Sequence, residues 1–332
     1  MLFSAHMYEY TTFSLSLGCI LQKFIKKTGL TLFFGLMTWA ILSYPKLSLS
    51  YALTGLNVWF QQMIPTLFPF MVLSGMMIRL RLSERFAGFF RPLLYPLFHV
   101  NNRCLYCIVM GFLCGFPMGA KITGDMYRMG QITRQEASFL LAFCNNIGPV
   151  FFTGFVLSFL PGDIPVWTYL AGMYGIPLLY GLLLRYLGYD GQIKANAASL
   201  SCTEKSPGFA AAMDASVSSG IQSITKLGGY MIIFNLWNLL PRLIFEKLPA
   251  SYASWQIPVC LLLEITGGIT MAGPDHPLLI LVMLQFGGLS CIAQTYCMIS
   301  DTDLSLFSYI LHKFCQSMLA LFYYRAIFSF YL

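Results

Sequence analysis

An all-α, polytopic transmembrane protein is the fold class that this sequence predicts, on three observations. Of its 332 residues, 57% are hydrophobic and only 10% are charged, whereas about 25% of the residues in soluble domains are charged. Many of its apolar stretches approach the length of about 20 residues at which a helix crosses a bilayer. Glycine and proline interrupt several of these stretches, and such residues end or bend helices. We therefore expect about seven to nine helical segments, one or more of them broken or re-entrant.

The charge pattern agrees with a membrane protein and gives no indication of nucleic acid binding. The net charge is +7, but the basic residues are dispersed and flank apolar segments, as the positive-inside rule describes. The ten cysteines do not indicate a disulfide framework, because most of them lie within apolar runs, where cysteine behaves as a small hydrophobe. The lipid bilayer is thus the first partner that the composition implies.

Residues 1–29 differ from the rest and predict an amphipathic or disordered cytoplasmic lead. Residues 13–21 are only moderately apolar, and three lysines follow them at positions 23, 26 and 27, the reverse of the order in a signal peptide. These lysines favour a cytoplasmic start for the first expected span, residues 31–44.

A polar segment divides the remaining chain into two halves. Residues 188–215 are rich in small and polar side chains and contain Lys194 and Lys205, so we interpret them as a cytoplasmic linker. The first transmembrane half is then residues 30–187, and the second half is residues 216–332.

The functional prediction depends on the stretch from Gly111 to Pro149. It breaks at residues 115–119, becomes polar, and breaks again at residues 145–149. Between the breaks, Thr133 and Glu136 fit a capping box, so a helix should begin near Thr133 and run to Phe143. Broken helices are how many transporters build a substrate site at the midplane of the membrane.

A similar pair of breaks occurs in the second half. Gly267-Gly268 and Gly287-Gly288 follow one another in the same order as the breaks of the first half. Matching interruptions in two halves are the best sequence indication of a transport site between them. The identity between the halves is low, so this repeat is inferred from the order of the breaks.

Five motifs occur in one order along the chain. They are PTLFPFMVLS (residues 65–74), GFPMGAK (115–121), LLAFCNNIGP (140–149), LLEITGGI (262–269) and FGGLSCIAQ (286–294). In combination they resemble the sporulation integral membrane protein family YlbJ, also called SpoVV, which belongs to the wider Gate or nucleoside-recognition domain group. The similarity extends over residues 30–325.

This resemblance implies a role in endospore formation. Members of the family are made in the mother cell, lie in the outer forespore membrane, and are implicated in moving dipicolinic acid (pyridine-2,6-dicarboxylate) toward the forespore. Gate relatives have transporter-like folds with inverted repeats. We therefore expect two Gate-like halves and a multi-pass transporter or gated channel for a small anion, with dipicolinic acid as the implied substrate. Other sporulation membrane proteins are candidate partners.

A site for a small aromatic dianion needs positive potential and an apolar slot. Lys121 follows the first break, and helix N-termini offer free N–H groups to anions. Each terminus contributes only about 0.3–1 kcal/mol, so several must converge with Lys121, which could alternatively be an interfacial lysine that reaches the headgroups. The substrate-binding candidates are Gly115, Pro117, Gly119, Lys121, Asn145, Asn146, Gly148, Gly267, Gly288 and Gln294.

Other polar residues have both a functional and a structural interpretation. Asn145 and Asn146 can bind a substrate or ion, or end a helix, since Asn tolerates the left-handed conformation. Glu264 lies in an apolar stretch, where an acidic side chain costs about 2.5–3.5 kcal/mol on insertion scales. It is a candidate for proton or cation coupling, or one half of a buried pair, for instance with Lys226. We interpret Asp125 and Arg128 as an ordinary ion pair on a helix surface, and His312-Lys313 as a weaker site candidate.

The chain has no motif of an enzyme that we recognise. It lacks the G-x-x-x-x-G-K-[ST], G-x-S-x-G and H-E-x-x-H patterns, so we expect no enzymatic activity, no cofactor and no metal. Two alternatives to a dipicolinate transporter stay open. One is a non-transporting sporulation scaffold that docks a partner through residues 188–215, and the other is a transporter of nucleosides or other metabolites.

Overall fold

The computed structural model describes residues 27–188 and 207–331. The predicted lead up to residue 26 and the part of the predicted linker from 189 to 206 lie outside the described residues. The chain divides into two compact units, Met1–Ser50 and Tyr51–Leu332. The first unit contains the apolar helix Lys27–Ser43, and the second unit contains every element discussed below as a site.

The described residues are helices joined by short loops, with no strand among them, which confirms the predicted fold class. Two π-helical turns, Trp59–Met63 and Ala171–Gly175, join consecutive helices without interrupting them. The helices are α1 (Lys27–Ser43), α2 (Pro45–Val58), α3 (Ile64–Arg79), α4 (Ser83–Phe98), α5 (Asn102–Cys114), α6 (Met118–Arg128), α7 (Arg134–Leu141), α8 (Pro149–Gly154), α9 (Val166–Leu170), α10 (Ile176–Leu187), α11 (Phe209–Trp237), α12 (Leu239–Phe245), α13 (Ala250–Ala253), α14 (Gln256–Leu263), α15 (Ile265–Ala272), α16 (Pro277–Phe286), α17 (Gly288–Ile299) and α18 (Leu306–Tyr331).

Length and composition alone make three of the described helices able to cross a membrane. They are Pro45–Arg79, Val166–Leu187 and Pro277–Ile299, and the pair α4 and α5, bent by 97°, would add a fourth. This number is below the predicted number of helical segments for two reasons. Glycine and proline breaks divide other apolar stretches into half-helices, and the long helices α11 and α18 do not meet the composition requirement.

α5 and α6 fold back on each other in a helical hairpin, hairpin 1 (residues 102–128). Cys107 on α5 contacts Met126 on α6, with 3.3 Å between their sulfur atoms. A Cβ placed on Gly111 would lie 2.1 Å from the carbonyl oxygen of Cys144, and a Cβ placed on Gly119 would lie 2.2 Å from the same atom. Residues at similar distances from the turn thus lie side by side on the two arms, as they do in antiparallel helices.

Hairpin 1 is too short to cross the bilayer. α5 has 13 residues and is therefore about 20 Å long, against a hydrocarbon core of about 30 Å. At the tip, Gly115 has φ of 84°, which glycine adopts without a steric cost. The GFPMG break therefore marks the tip of a re-entrant hairpin.

α14 and α15 form a second hairpin, hairpin 2 (residues 256–272). Leu261 Cα would lie 2.6 Å from a Cβ on Gly268, and Gln256 Nε2 lies 3.8 Å from Met271 Sδ. Each arm has eight residues. The tip is Glu264, whose extended backbone ends α14 and whose side chain caps the start of α15.

Each hairpin is followed by a broken helix and then by a long helix. Broken helix 1 consists of α7 and α8, which are separated by residues 142–148, and broken helix 2 consists of α16 and α17, which meet at Gly287-Gly288. The long helices are Val166–Leu187 in the first half and α18 in the second. The same order of elements thus occurs twice. Gly287-Gly288 marks a break as predicted, but Gly267-Gly268 lies within α15, and the second hairpin turns at Glu264 instead.

The first broken helix agrees with the sequence at its start and differs at its end. Thr133 and Glu136 form the predicted capping box. The helix ends at Leu141 rather than at Phe143, and residues 145–160 contain only α8 and a 3-10 turn, Val156–Phe159. The backbone between α7 and α8 is opened because Asn145 and Asn146 make tertiary hydrogen bonds there.

Candidate functional site

The hairpin tips and helix breaks of both halves meet at one place. A Cβ on Gly115, at the tip of hairpin 1, would lie 2.3 Å from Gly148 N in broken helix 1. A Cβ on Gly287 would lie 3.0 Å from the ring of Phe116, and one on Gly288 would lie 3.1 Å from the carbonyl oxygen of Leu261. Broken helix 2 therefore contacts both hairpins through glycines, because any side chain would keep the backbones apart.

A cavity of about 370 Å³ opens at this meeting point, within the range of about 300–1,000 Å³ that small-molecule sites occupy. Its lining is mostly apolar and aromatic, and a few polar groups converge on it. The apolar and aromatic members include Leu67, Phe70, Phe116, Ile147, Phe151, Phe155 and Met231. The polar members include Gln61, Gln62, Thr66, Glu264, Thr266 and Gln294.

Some of the predicted site residues line this cavity and others support it. Gly148, Gln294 and the coupling candidate Glu264 are in its lining. Gly115 and Pro117 form the tip of hairpin 1, while Gly288 and Gly267 lie in broken helix 2 and hairpin 2. The remaining four candidates, Gly119, Lys121, Asn145 and Asn146, are buried behind the lining.

Lys121 lies on an arm of hairpin 1 and already has an anionic partner. Its Nζ is 3.0 Å from Asp125 Oδ2 and donates to Ser219 Oγ on α11 at 3.0 Å. Only 2% of Lys121 is exposed, so it is not the interfacial lysine of the alternative interpretation. Asp125 also pairs with Arg128, and because Asp125 is buried, the interpretation of this pair as a surface feature is wrong.

A second buried lysine, Lys313 on α18, stands at the tip of hairpin 1. Its Nζ donates to Asn146 Oδ1 at 2.9 Å and to Gln316 Oε1 at 3.4 Å, and it lies 5.0 Å from the centroid of the Phe116 ring. Within residues 27–188 and 207–331, no carboxylate forms an ion pair with it. The sequence ranked Lys313 low because it stands in no motif; its position within an apolar helix was the available signal.

Asn145 and Asn146 both make buried hydrogen bonds, but to different partners. Asn145 Nδ2 donates to Thr295 Oγ1 at 2.8 Å and to the hydroxyl of Tyr309 at 3.1 Å. Asn146 Nδ2 donates to Phe143 O at 2.7 Å, while its Oδ1 accepts from Lys313. Asn145 therefore ties broken helix 1 to the second half, and Asn146 holds the buried ammonium.

Glu264 is a buried carboxylate in the wall of the cavity. It accepts hydrogen bonds from Thr266 Oγ1 at 2.6 Å, from Gly267 N at 2.7 Å and from Thr266 N at 3.2 Å. These bonds satisfy the first N–H groups of α15. The expected pairing with Lys226 is not among its contacts in the described part of the chain.

Comparisons with known proteins agree with the motifs. No family model and no solved structure matches the chain. The Sporulation integral membrane protein YlbJ of Bacillus subtilis (strain 168) is 26% identical over 328 residues, which covers 87% of this chain and 79% of the relative. The match extends well beyond the five motifs and agrees with the apolar, all-helical structure. This chain is thus similar over most of its length to a sporulation integral membrane protein, and its apolar helices are those of an integral membrane protein.

Proposed function

We propose that this protein is a transporter or gated channel for a small anionic metabolite, with dipicolinic acid as its substrate during sporulation. The observation on which the proposal rests is a buried lysine without a carboxylate partner among the described residues, Lys313. It stands beside a cavity that is lined by both hairpin tips, by the break at Gly148 and by α17. A charged residue inside a membrane is costly and is a functional candidate by default. The broken elements around it are those that transporters use for their substrate sites.

The cavity suits a flat aromatic dicarboxylate. Its aromatic lining offers rings against which a pyridine can stack, and the side-chain amides of Gln61, Gln62 and Gln294 can donate to carboxylate oxygens. The ammonium of Lys313 lies on the ring of Phe116, which is itself part of the lining. If this ring moved, the ammonium of Lys313 would reach the carboxylates of the substrate. Phe116 and Lys313 together therefore form the part of the cavity wall that recognises the anion.

The setting follows from the family. We place the protein in the mother-cell-derived outer forespore membrane, with net movement of dipicolinic acid toward the forespore and other sporulation membrane proteins as partners. Both halves are proposed to be Gate-like. The protein acts without catalysing a reaction, because binding and release on two sides of the membrane are all that the cavity and its breaks have to provide.

The test is dipicolinate flux into proteoliposomes that contain the purified protein, with Lys313→Met as the variant. A charge-assisted hydrogen bond contributes about 1.5–3 kcal/mol, so we expect the flux at low substrate concentration to fall about 10- to 100-fold. Lys121→Met is the contrasting variant, and its effect should be smaller because the ammonium of Lys121 is already paired with Asp125.

Thermal unfolding of each variant in detergent shows whether lost flux reflects lost folding. Unchanged flux in Lys313→Met would remove this lysine from the site. If folded wild-type protein gave no flux above that of empty vesicles, the scaffold alternative would be favoured. Competition by unlabelled nucleosides, rather than by pyridine dicarboxylates, would identify a nucleoside transporter instead.

A further inference from the structure

We propose that the tip of hairpin 2 is a sodium site, formed by oxygens of Glu264, Asn235 and Asn238. The two asparagines lie on α11 and at its C-terminal end, opposite the start of α15. They took no part in the sequence-based prediction of the site. The inference starts from their side-chain oxygens, which are buried without a hydrogen-bond donor in the described part of the chain.

The three side chains surround one small space above Gly267. If a Cβ stood on Gly267, it would lie 2.8 Å from Asn235 Oδ1, 3.4 Å from Glu264 Oε2 and 3.5 Å from Asn238 Nδ2. Rotating the Asn238 amide about its last torsion exchanges nitrogen and oxygen, so this side chain can also present its oxygen to the space. Glycine at position 267 keeps the space open, since any larger residue would fill it.

The side-chain oxygens of Asn235 and Asn238 are both unused acceptors among the described residues. The two residues are only 1% and 2% exposed, and within residues 27–188 and 207–331 no donor reaches the Oδ1 atom of either. Asn235 Nδ2 is occupied by the carbonyl oxygen of Met231 at 3.0 Å, which orients Oδ1 away from its own helix. Buried acceptors are normally satisfied, so an unsatisfied Asn235 oxygen that faces the space beside Glu264, next to an Asn238 amide that can turn its own unsatisfied oxygen there, indicates a missing positive or donating group.

Charge identifies that group as a cation. Glu264 is 2% exposed and forms no ion pair with a described basic residue. Its N–H and O–H donors lower the cost of burying the carboxylate but leave the net charge in place. An all-oxygen set selects a hard cation, and one carboxylate balances a single charge. Because a single Cβ on Gly267 would already fill the space, we assign it to the smaller Na+ rather than to K+.

The site would couple the ion to the substrate, and this part of the inference rests on the proposed function. Glu264 is in the wall of the cavity that the dicarboxylate would enter. Without a cation, its charge repels the substrate; with Na+ bound, the wall becomes neutral. The ion also joins hairpin 2 to α11, so its release would loosen the tip that closes the cavity.

The site can be tested without substrate or transport, by thermal unfolding of the purified full-length protein in detergent. Sodium chloride is compared with potassium chloride and choline chloride at equal ionic strength. A ligand that binds only the folded state stabilises it by an amount that grows with the logarithm of ligand concentration above the Kd, so we expect the Tm to rise with Na+ concentration, by about 3 °C or more. Equal Tm values in the three salts at neutral pH would overturn the proposal.

Matched variants show whether the effect of Na+ on the Tm arises at this site. Gly267→Ala places a methyl group in the ion's space and should abolish the Na+ shift, whereas Gly229→Ala on α11, where a Cβ meets no atom within 4 Å, should keep it. Glu264→Gln keeps an acceptor for the N–H groups of α15 without the charge and should also lose the shift. A Na+ shift that persists in both Gly267→Ala and Glu264→Gln would overturn the assignment.

The Na+ shift of the Tm and the dipicolinate flux are measured independently, and either can fail without the other. A Na+ shift without dipicolinate flux would leave the ion site standing and remove its coupling role. Flux in the absence of a Na+ shift would leave the proposed function standing and remove the ion site.

Discussion

Asn145 connects three elements through one buried side chain. Its Oδ1 accepts from Ala120 N on hairpin 1 at 3.3 Å, while its Nδ2 donates to Thr295 on broken helix 2 and to Tyr309 on α18. The side chain is fully buried. Removing it would therefore leave polar groups from both halves without partners in an apolar surrounding, and such groups are costly.

We expect Asn145→Ala to lower the free energy of unfolding by about 1–3 kcal/mol, measured by thermal or denaturant unfolding in detergent. Thr153→Ala is the matched control, because Thr153 is exposed and its hydroxyl donates to Pro149 O in its own helix. Equal losses in the two variants would show that Asn145 does not connect the halves.

The sequence predicted some of these side chains because their signal is local. Gly148 stands at a break that glycine and proline mark, and Glu264 and Gln294 lie within the glycine-containing motifs of the second half. All three line the cavity. The sequence could not decide in this way which of Lys121 and Lys313 belongs to the site. Whether a buried lysine meets a carboxylate depends on packing between distant elements, and among the described residues the structure gives Asp125 to Lys121 and none to Lys313.

Among the elements, hairpin 1 depends on two glycines that face the same carbonyl group. Gly111 on α5 and Gly119 on α6 both approach the oxygen of Cys144, in the break of broken helix 1. The two arms therefore hold the opened backbone between them. This contact allows no side chain on either arm, since a Cβ would overlap the oxygen.

Gly119→Ala should destabilise the fold strongly. A Cβ 2.2 Å from Cys144 O forces a backbone shift in a packed core, which costs about 1–3 kcal/mol or more. Gly88→Ala on α4 is the control, because a Cβ there meets no atom within 4 Å and alanine favours a helix over glycine by about 1 kcal/mol. The measurement is the Tm together with the monodisperse fraction on size exclusion. A stable Gly119→Ala protein would contradict the packing of hairpin 1.

The type and order of the helical elements could be predicted from the sequence. Whether the chain turns back at a break could not. The capping box at Thr133 and the breaks at Gly115 and Gly287 follow from residue chemistry. A glycine break, however, has the same signal whether the chain continues across the membrane or turns back. The decision depends on what packs against the arms, and for hairpin 1 that is the opened backbone at Cys144 in broken helix 1, the next element along the chain.

For the whole molecule, the cavity exists only because both halves contribute to it. The first half supplies the tip of hairpin 1 and the break at Gly148, and the second half supplies Glu264 and Gln294. Ion pairs also join the halves at their surface, between Arg134 and Asp303 and between Arg128 and Asp301. A transport site of this kind needs both halves to be held together, but it does not need a particular sequence in the segment that connects them.

Replacing residues 189–206 with a glycine and serine segment of equal length should therefore leave dipicolinate flux near that of the wild type, since such segments act as flexible spacers. A scaffold that recruits a partner through this segment predicts the opposite, namely loss of sporulation function in cells. The same variant is to be measured in proteoliposomes and in sporulating cells. Normal flux with defective sporulation would assign the segment to a partner, because the cavity would work without it. Lost flux from folded protein would mean that the connection itself takes part in transport, and the two halves could then no longer be treated as joined only by a tether.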